Sequence, residues 1–482
     1  MKHMISIAGS DSLAAAGIQQ DIRAAKDIGI HCSTVITTLT AQNHQSCKAL
    51  QDVGPELILA QFESITSHER IDAIKVGMIS SQQSLICVVD ILKSLDRQIP
   101  IVYDPIMATS SGSEALDEST RDVILNDLLP LVDVVTPNLD ELAWLTESAC
   151  AEAQDIREAC LNLIRRGAGA VLAKGGHGED QDDVSDYLCL AEGSSRWITS
   201  TRLDGSFRGT GCYLSTAIAG FLAKGDALVS SVIESRSLLM QACNDSYLLG
   251  EKNILRLSQA PQDLPKTAMD QIDDTNSKAC APMDQGPIGL YPVLPNTEWL
   301  KRLVPLGLKT VQLRIKDASQ DQLRTEITEA IRICEAHRCR LFINDYWQLA
   351  IELGAYGVHL GQEDLDQADI YQISKSGLRL GISTHSVPEL SRALALKPSY
   401  VALGPIFPTT CKSMAFGPQG IARIKDWVRL SGLPVVAIGG LKLEHAKEVL
   451  MQEADGIALI SNITENQDPE SKTKDWIAAI SD

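Results

Sequence analysis

SQAPQDLPKTAMDQIDDTNSKACAPMDQGP, Ser258 to Pro287, divides this chain. The stretch carries four prolines, many polar residues and no sustained apolar period. It reads as a linker, 258–287, between a domain over 1–257 and a second over 288–482. A structureless loop of that length inside one compact domain is uncommon, and 482 residues are too many for one ordinary core. On both sides of the stretch, short Val- and Ile-rich runs alternate with helical patterns, so the whole chain is of the α/β class.

Upstream, the runs MISIAG, STVITTL, IDAIKVGM, IPIVYDPIM, VDVVTPN and GAGAVLAKGG are separated by patterns such as DIREACLNLIRRG. This alternation predicts a parallel sheet with helices on both faces, an α/β/α sandwich. Chemistry in such a sheet is expected at the carboxyl ends of the strands, where Asp11, Asp104, Asn138 and Lys174 fall. Downstream, eight strand-like runs (GLYPVL, TVQLRIK, RLFIND, GVHLGQ, LRLGIST, YVALGPIF, PVVAIGG and DGIALIS) predict a (β/α)8 barrel. Nearly all end in polar or glycine residues, at the face where barrel active sites lie.

Composition narrows the function. Lys plus Arg total 43 against 62 for Asp plus Glu, a net charge of −19. That balance argues against a nucleic-acid or anionic-membrane partner, since both require a basic face. No run approaches the roughly 18–20 apolar residues of a membrane helix, and MKHMISIAGSDS is too short in its apolar part for a secretory segment. Twelve cysteines lie scattered without CxxC pairs. This favours free thiols in a reducing, cytoplasmic location.

Before the apolar helical pattern YLSTAIAGFLAKG, Gly209, Thr210, Gly211 and Cys212 set glycine amides at a helix N-terminus, a site suited to an anion. Cys212 is there either a thiol of lowered pKa, able to act as a base, or a small packed residue; the spacing alone leaves both open. TAQN places Gln42, with donors and acceptors suited to a heteroaromatic ring, after one strand. Asp104 and Glu141 supply carboxylates for Mg2+, and Lys174 a cation near phosphates.

In the second half, Gln312, Arg314 and Lys316 share one side of a strand by period-two alternation. Arg and Lys so placed suit a pyrophosphate. Asn344 and Asp345 end the next run and Asp364 follows another. The two carboxylates fit a Mg2+ ion, although either alone reads as a surface acid in a loop. Ser383 and His385, Thr409 and Lys412, Gly439 and Gly440, and Ser461 close later runs, the last three after strands seven and eight, where barrels bind phosphate. His359, on an apolar strand, reads as a hydrogen-bonded interior residue, and His177 as a loop residue near nucleotide.

With AGSDS, AGIQQD, TLTAQN, IKVGM, YDPIM, LLPLVDVVTPNLDE, LAKGGH and GTGC in order, the half from Met4 to Leu249 resembles the hydroxymethylpyrimidine/phosphomethylpyrimidine kinases of the ribokinase-like superfamily. The resemblance implies phosphorylation of the pyrimidine alcohol, then of its monophosphate, with ATP as co-substrate. It implies a pyrimidine pocket lined by Asp11 and Gln42, Mg2+ positioned by Asp104 and Glu141, and Lys174 near the ATP phosphates. Cys212 is then the base below the anion hole of Gly209 to Gly211. Two departures stand out. Ala14 and Ala15 replace a glycine pair, and Phe207-Arg208 replaces Thr-His. Alanine disfavours positive φ, and Arg208 adds a cation beside the anion hole.

VQLRIK, FIND, GVHLGQED, GISTH, GPIFPTTCK and VVAIGG make Gly289 to Ile463 resemble thiamine-phosphate synthase. The resemblance implies a TIM barrel that couples hydroxymethylpyrimidine diphosphate to hydroxyethylthiazole phosphate. Arg314, Lys316, Asn344 and Lys412 would grip the pyrophosphate, with Gln312, Ser383 and Thr409 in the same site. Asp345 and Asp364 would hold Mg2+, and Gly440 and Ser461 the thiazole phosphate. Cys411 stands where the family has a second threonine, and Tyr346 where it often has arginine. The expected partners are small molecules, namely the pyrimidine, the thiazole phosphate and ATP, with no nucleic acid and no membrane; a homodimer stays open. Three rival readings remain: a first half reduced to a pyrimidine-binding or regulatory module, a barrel that is a thiazole tautomerase, and a first half that is a pyridoxal kinase.

Overall fold

The computed structural model describes residues 1–43, 45–107, 118–175, 182–269, 278–284, 286–408 and 417–481. The chain forms two compact units, Met1–Ile272 and Asp273–Asp482.

The first unit is built on strands β1 (His3–Asp11), β2 (His31–Gln42), β3 (Cys47–Asp52), β4 (Ala73–Val76), β5 (Ile101–Tyr103), β6 (Val134–Val135), β7 (Ala170–Ala173), β8 (Asp183–Leu190) and β9 (Ser195–Thr201). A small sheet adds β10 (Phe207–Arg208), β11 (Tyr247–Leu249) and β12 (Lys252–Ile254), and β13 (Lys266–Met269) follows. The main sheet has the order β13-β9-β8-β7-β6-β5-β4-β1-β2-β3. Its centre, β7 to β2, is parallel, and the flanking pairings are antiparallel. The central runs are short and apolar because helices cover both faces. Ile5, Ile74, Tyr103 and Val135 pack with the helices on one face. The helix Thr210–Lys224 lies on the other with Gly17–Ile28 and Leu228–Asn244.

The stretch expected as a linker is taken up at both ends. Lys266–Met269 pairs antiparallel with β9 as an edge strand. It begins directly after Pro265, where a missing N–H is tolerated at a sheet edge. At the other end the Cys280 N–H donates to the Lys397 carbonyl at 3.2 Å, and Arg379 Nη2 reaches Asp284 Oδ1 at 2.7 Å.

The second unit closes eight parallel strands into a barrel: β14 (Gly289–Leu294), β15 (Thr310–Leu313), β16 (Arg340–Asn344), β17 (Gly357–Leu360), β18 (Arg379–Thr384), β19 (Tyr400–Leu403), β20 (Val435–Ile438) and β21 (Gly456–Leu459). Its filling is aromatic. Tyr291, Phe342 and Tyr400 meet inside it with ring centroids 5.1 to 6.1 Å apart. Gly381 leaves the space for this cluster, because a Cβ there would stand 2.1 Å from the Tyr400 ring.

Candidate active sites

In the first unit a cavity of about 410 Å³ opens at the carboxyl ends of the parallel strands, within the usual range for small-molecule sites. Asp11, Gln42, Asp104, Glu141, Lys174, Gly209, Gly211 and Cys212 all line it. Its fixed centre is Lys174, just past β7, whose ammonium lies 2.8 Å from Asp104 Oδ1 and 3.8 Å from Glu141 Oε2. Thr136 and Ser215 donate to Asp104 at 3.3 Å each. A Cβ on Gly211 would lie 3.1 Å from Lys174 Nζ, so the glycine lets the helix start approach this cluster.

Burial alone would raise Asp104, yet the ammoniums of Lys174 and Lys75 hold its carboxyl below the ordinary range. Burial pushes Glu141 up to about 7; Asp104 adds to the rise and Lys174 opposes it. A divalent cation would return Glu141 to its ionised form. The two carboxylates and the nearby helix amides fit Mg-nucleotide, provided Lys174 gives up part of its hold on Asp104. Among the described residues no three His, Cys, Asp or Glu side chains cluster as a metal cage.

The thiol corrects one expectation. Cys212 is buried, and burial pushes it up to about 11, with Lys75 opposing and Asp21 and Asp104 adding. This runs opposite to the lowered pKa expected from the helix N-terminus, and burial is its largest cause.

Asp11 serves the loop after β1. Its Oδ1 accepts from the Leu13 N–H at 2.9 Å and its Oδ2 from the Ala15 N–H at 3.1 Å. Ala14 between them sits at φ 58°, the left-handed conformation that alanine disfavours. Relief of that strain, roughly 1–2 kcal/mol, less roughly 0.4–1 kcal/mol for the freer unfolded chain, makes Ala14→Gly stabilising by about 0.5–1 kcal/mol. Thermal melts of the two forms test this, and a lower midpoint in the glycine form would count against it. Gln42 Oε1 is buried with no hydrogen-bond partner among the described residues, an acceptor left for a ligand donor.

Sequence reasoning missed Lys75 and Asp21. Both side chains are fully buried, and Lys75 Nζ lies 3.0 and 2.9 Å from the two Asp21 oxygens. Lys75 also lines the cavity. The run IKVGM contained the signal: a lysine at an inward position of an otherwise apolar strand.

In the barrel, Asn344 ends β16 and Asp345 follows at φ 66°. The Asp345 carboxyl hydrogen-bonds to Asp364. Burial and the Asp364 charge push Asp345 up to about 6, against the opposing charge of Arg314 and a hydrogen bond from Asn344. Two facing carboxyls with a guanidinium beside them fit a Mg2+ ion bound to pyrophosphate. Arg314 follows β15 directly, while Lys316 is exposed on the loop beyond it rather than on the strand side shared with Gln312.

Gln312 and Ser383 are joined through the barrel interior. Gln312 Nε2 donates to Tyr291 Oη at 3.3 Å, Tyr291 Oη meets Tyr400 Oη at 2.8 Å, and Tyr400 Oη meets His359 Nδ1 at 2.7 Å. His359 Nε2 completes the chain to Ser383 Oγ at 2.8 Å. Burial, with Arg314 adding, pushes His359 down to about 4, so the ring is neutral. His385 pairs with Glu389 at 2.7 Å. Gly440 (φ 67°) and Ser461 follow the seventh and eighth strands; a Cβ on Gly440 would meet the Pro408 carbonyl at 2.6 Å. His177, Thr409, Cys411 and Lys412 lie outside the described residues.

Residues 11–255, over half of the chain, match the family described as phosphomethylpyrimidine kinase. The chain belongs to the phosphomethylpyrimidine kinase family. Residues 290–463 of the same chain match thiamine monophosphate synthase. The thiamine-phosphate synthase of Rhizobium etli is 52% identical over 190 residues, 39% of this chain and 93% of that protein. That of Neisseria meningitidis serogroup B is 49% identical over 191 residues, 39% of this chain and 93% of that protein. Both matched families are enzymes, and the pair fits thiamine biosynthesis. The kinase unit shares its fold with the Staphylococcus aureus pyridoxal kinase solved with AMP-PCP. That comparison gives a TM-score of 0.51 at 23% identity, covering 56% of this chain and 99% of that one. Among the described residues no helix is long and apolar enough to cross a membrane.

Proposed function

We propose that the kinase unit carries hydroxymethylpyrimidine to its diphosphate with Mg-ATP, and that the synthase unit joins the diphosphate to hydroxyethylthiazole phosphate. One observation carries this reading. Each unit sets a pair of carboxyls near a cation at the carboxyl ends of its parallel strands: Asp104 and Glu141 with Lys174, and Asp345 and Asp364 with Arg314. Phosphoryl transfer and the displacement of pyrophosphate both need charge stabilisation more than covalent help. The setting is a cytoplasmic one, and the substrates are small molecules.

In the kinase unit Gln42 reads the pyrimidine edge and Asp11 fixes the loop beneath it. Gly209 and Gly211 present amides to the transferred phosphoryl group, Lys174 neutralises it, and Asp104 and Glu141 would hold Mg2+. In the synthase unit Arg314, Lys316, Asn344 and Lys412 hold the departing pyrophosphate, whose C–O bond breaks as the thiazole nitrogen bonds to the pyrimidine methylene carbon. Gln312, Ser383 and Thr409 orient the pyrimidine side of that site, and Gly440 and Ser461 hold the thiazole phosphate. Asp345 and Asp364 would hold Mg2+, which would supply positive charge to the leaving group.

Product analysis by mass spectrometry tests the whole reading. Purified chain given the pyrimidine alcohol, Mg-ATP and thiazole phosphate is expected to form thiamine phosphate. Product only when the pyrimidine diphosphate is supplied would overturn the kinase half. Cys212 has its own test. As the base on the alcohol it must ionise, and with a thiol near 11 the thiolate fraction grows with pH. Alcohol kcat is expected to rise from about pH 7 to about pH 9, and Cys212→Ala to remove the rise. A profile flat in both forms would take the base role from Cys212.

A further inference from the structure

Arg208, the last residue of β10, lines the kinase cavity and is 5% exposed. Its Nη1 donates to the Asn43 carbonyl at 3.1 Å. Its Nε and Nη2 are buried and have no hydrogen-bond partner among the described residues. Asp11 Oδ2 forms an ion pair with Nε at 3.7 Å, beyond hydrogen-bonding distance, and both Asp11 oxygens already accept backbone N–H groups. Two free donors on a buried guanidinium are costly unless a ligand takes them.

The position says which ligand. Arg208 is anchored on Asn43, next to Gln42 with its own unpartnered Oε1, and it directly precedes Gly209, the N-cap of the helix Thr210–Lys224. It therefore stands between the amide assigned to the pyrimidine ring and the amides assigned to the transferred phosphoryl group. A phosphate on the ring's hydroxymethyl oxygen would fall in that interval. A guanidinium presenting free N–H groups suits its oxygens.

We infer that Arg208 binds the phosphate the substrate already carries, so that the kinase unit takes the pyrimidine monophosphate in preference to the alcohol. This inference rests on the kinase reading above. In the favoured step a non-bridging oxygen of the monophosphate bonds to the γ-phosphorus of ATP. The bond from that phosphorus to the β,γ-bridging oxygen breaks, and ADP leaves. The accepting oxygen of a phosphate dianion carries no proton, so no base is required, whereas the alcohol must lose one.

The test is ADP release by the full chain with each pyrimidine in turn, for the unaltered protein and Arg208→Gln. The unaltered protein is expected to show the higher kcat/KM with the monophosphate. Arg208→Gln is expected to lower the monophosphate-to-alcohol ratio of kcat/KM by about tenfold or more, mainly through KM of the monophosphate. A ratio unchanged within about twofold, with both substrates turned over, overturns the inference and leaves the kinase reading standing. Turnover of neither pyrimidine by the unaltered protein overturns both. If Arg208→Gln does not unfold cooperatively, Arg208→Lys replaces it. That variant keeps the charge without the fork and is expected to lower the ratio about threefold; an unchanged ratio overturns the inference there too.

Discussion

Lys75→Met is expected to destabilise the kinase unit by about 3–5 kcal/mol while leaving the barrel's own unfolding transition in place. Lys75 and Asp21 are both fully buried, and the ammonium touches both carboxylate oxygens. Burial alone would lower the Lys75 pKa, but the Asp21 charge against it keeps the ammonium above the ordinary lysine range. Once the ammonium is gone, Asp21 keeps, among the described residues, the hydroxyls of Ser6 and Thr216, too little for a carboxylate cut off from water. Asp21→Asn added to Lys75→Met removes the stranded charge and is expected to recover much of the loss. Urea unfolding of the single and double variants measures this. A single variant within about 1 kcal/mol of the parent would show that the pair does not hold the core.

Asp345→Asn is expected to separate stability from activity in the synthase unit. In the metal-free protein Asp345 is raised to about 6 from 3.8, by burial first and by Asp364 next. A carboxyl raised on folding binds its proton more tightly in the folded state. Its contribution therefore falls as pH rises from about the ordinary carboxyl value through about 6 and stays low above that. Asparagine removes the repulsion, so at pH 8 in chelator the variant barrel is expected to melt higher than the parent. Added Mg2+ is expected to stabilise the parent more than the variant. Synthase kcat is expected to fall on the order of 10²-fold, since a charge holding the leaving group in place is lost. A variant that melts lower in chelator, or that keeps full synthase activity, would contradict the paired-carboxylate site.

Much of the site was legible because parallel strands deliver their last residues to one end. Asp104, Lys174, Asn344 and Asp345 could be picked out as polar residues closing apolar runs, and the cavity and the barrel mouth collect them. The edge strand Lys266–Met269 was not legible. An edge strand of four residues beside a proline has too few positions to show a period, and only its pairing with β9 reveals it. The chain from Gln312 through Tyr291, Tyr400 and His359 to Ser383 was half legible: His359 read as an interior hydrogen-bonded residue, but its partners lie on other strands.

Local pattern, then, determined the two α/β units, the eight barrel strands and the ends at which chemistry gathers, because alternation and terminal polar residues are short-range properties of the chain. Tertiary structure alone decided which charges meet and how much water they keep. It set Lys75 on Asp21, left two Arg208 nitrogens without hydrogen-bond partners among the described residues and raised the Cys212 thiol despite its helix N-terminus. Each of these depends on burial and on groups tens to hundreds of residues apart, and desolvation is a property of the packed interior that no local spacing records.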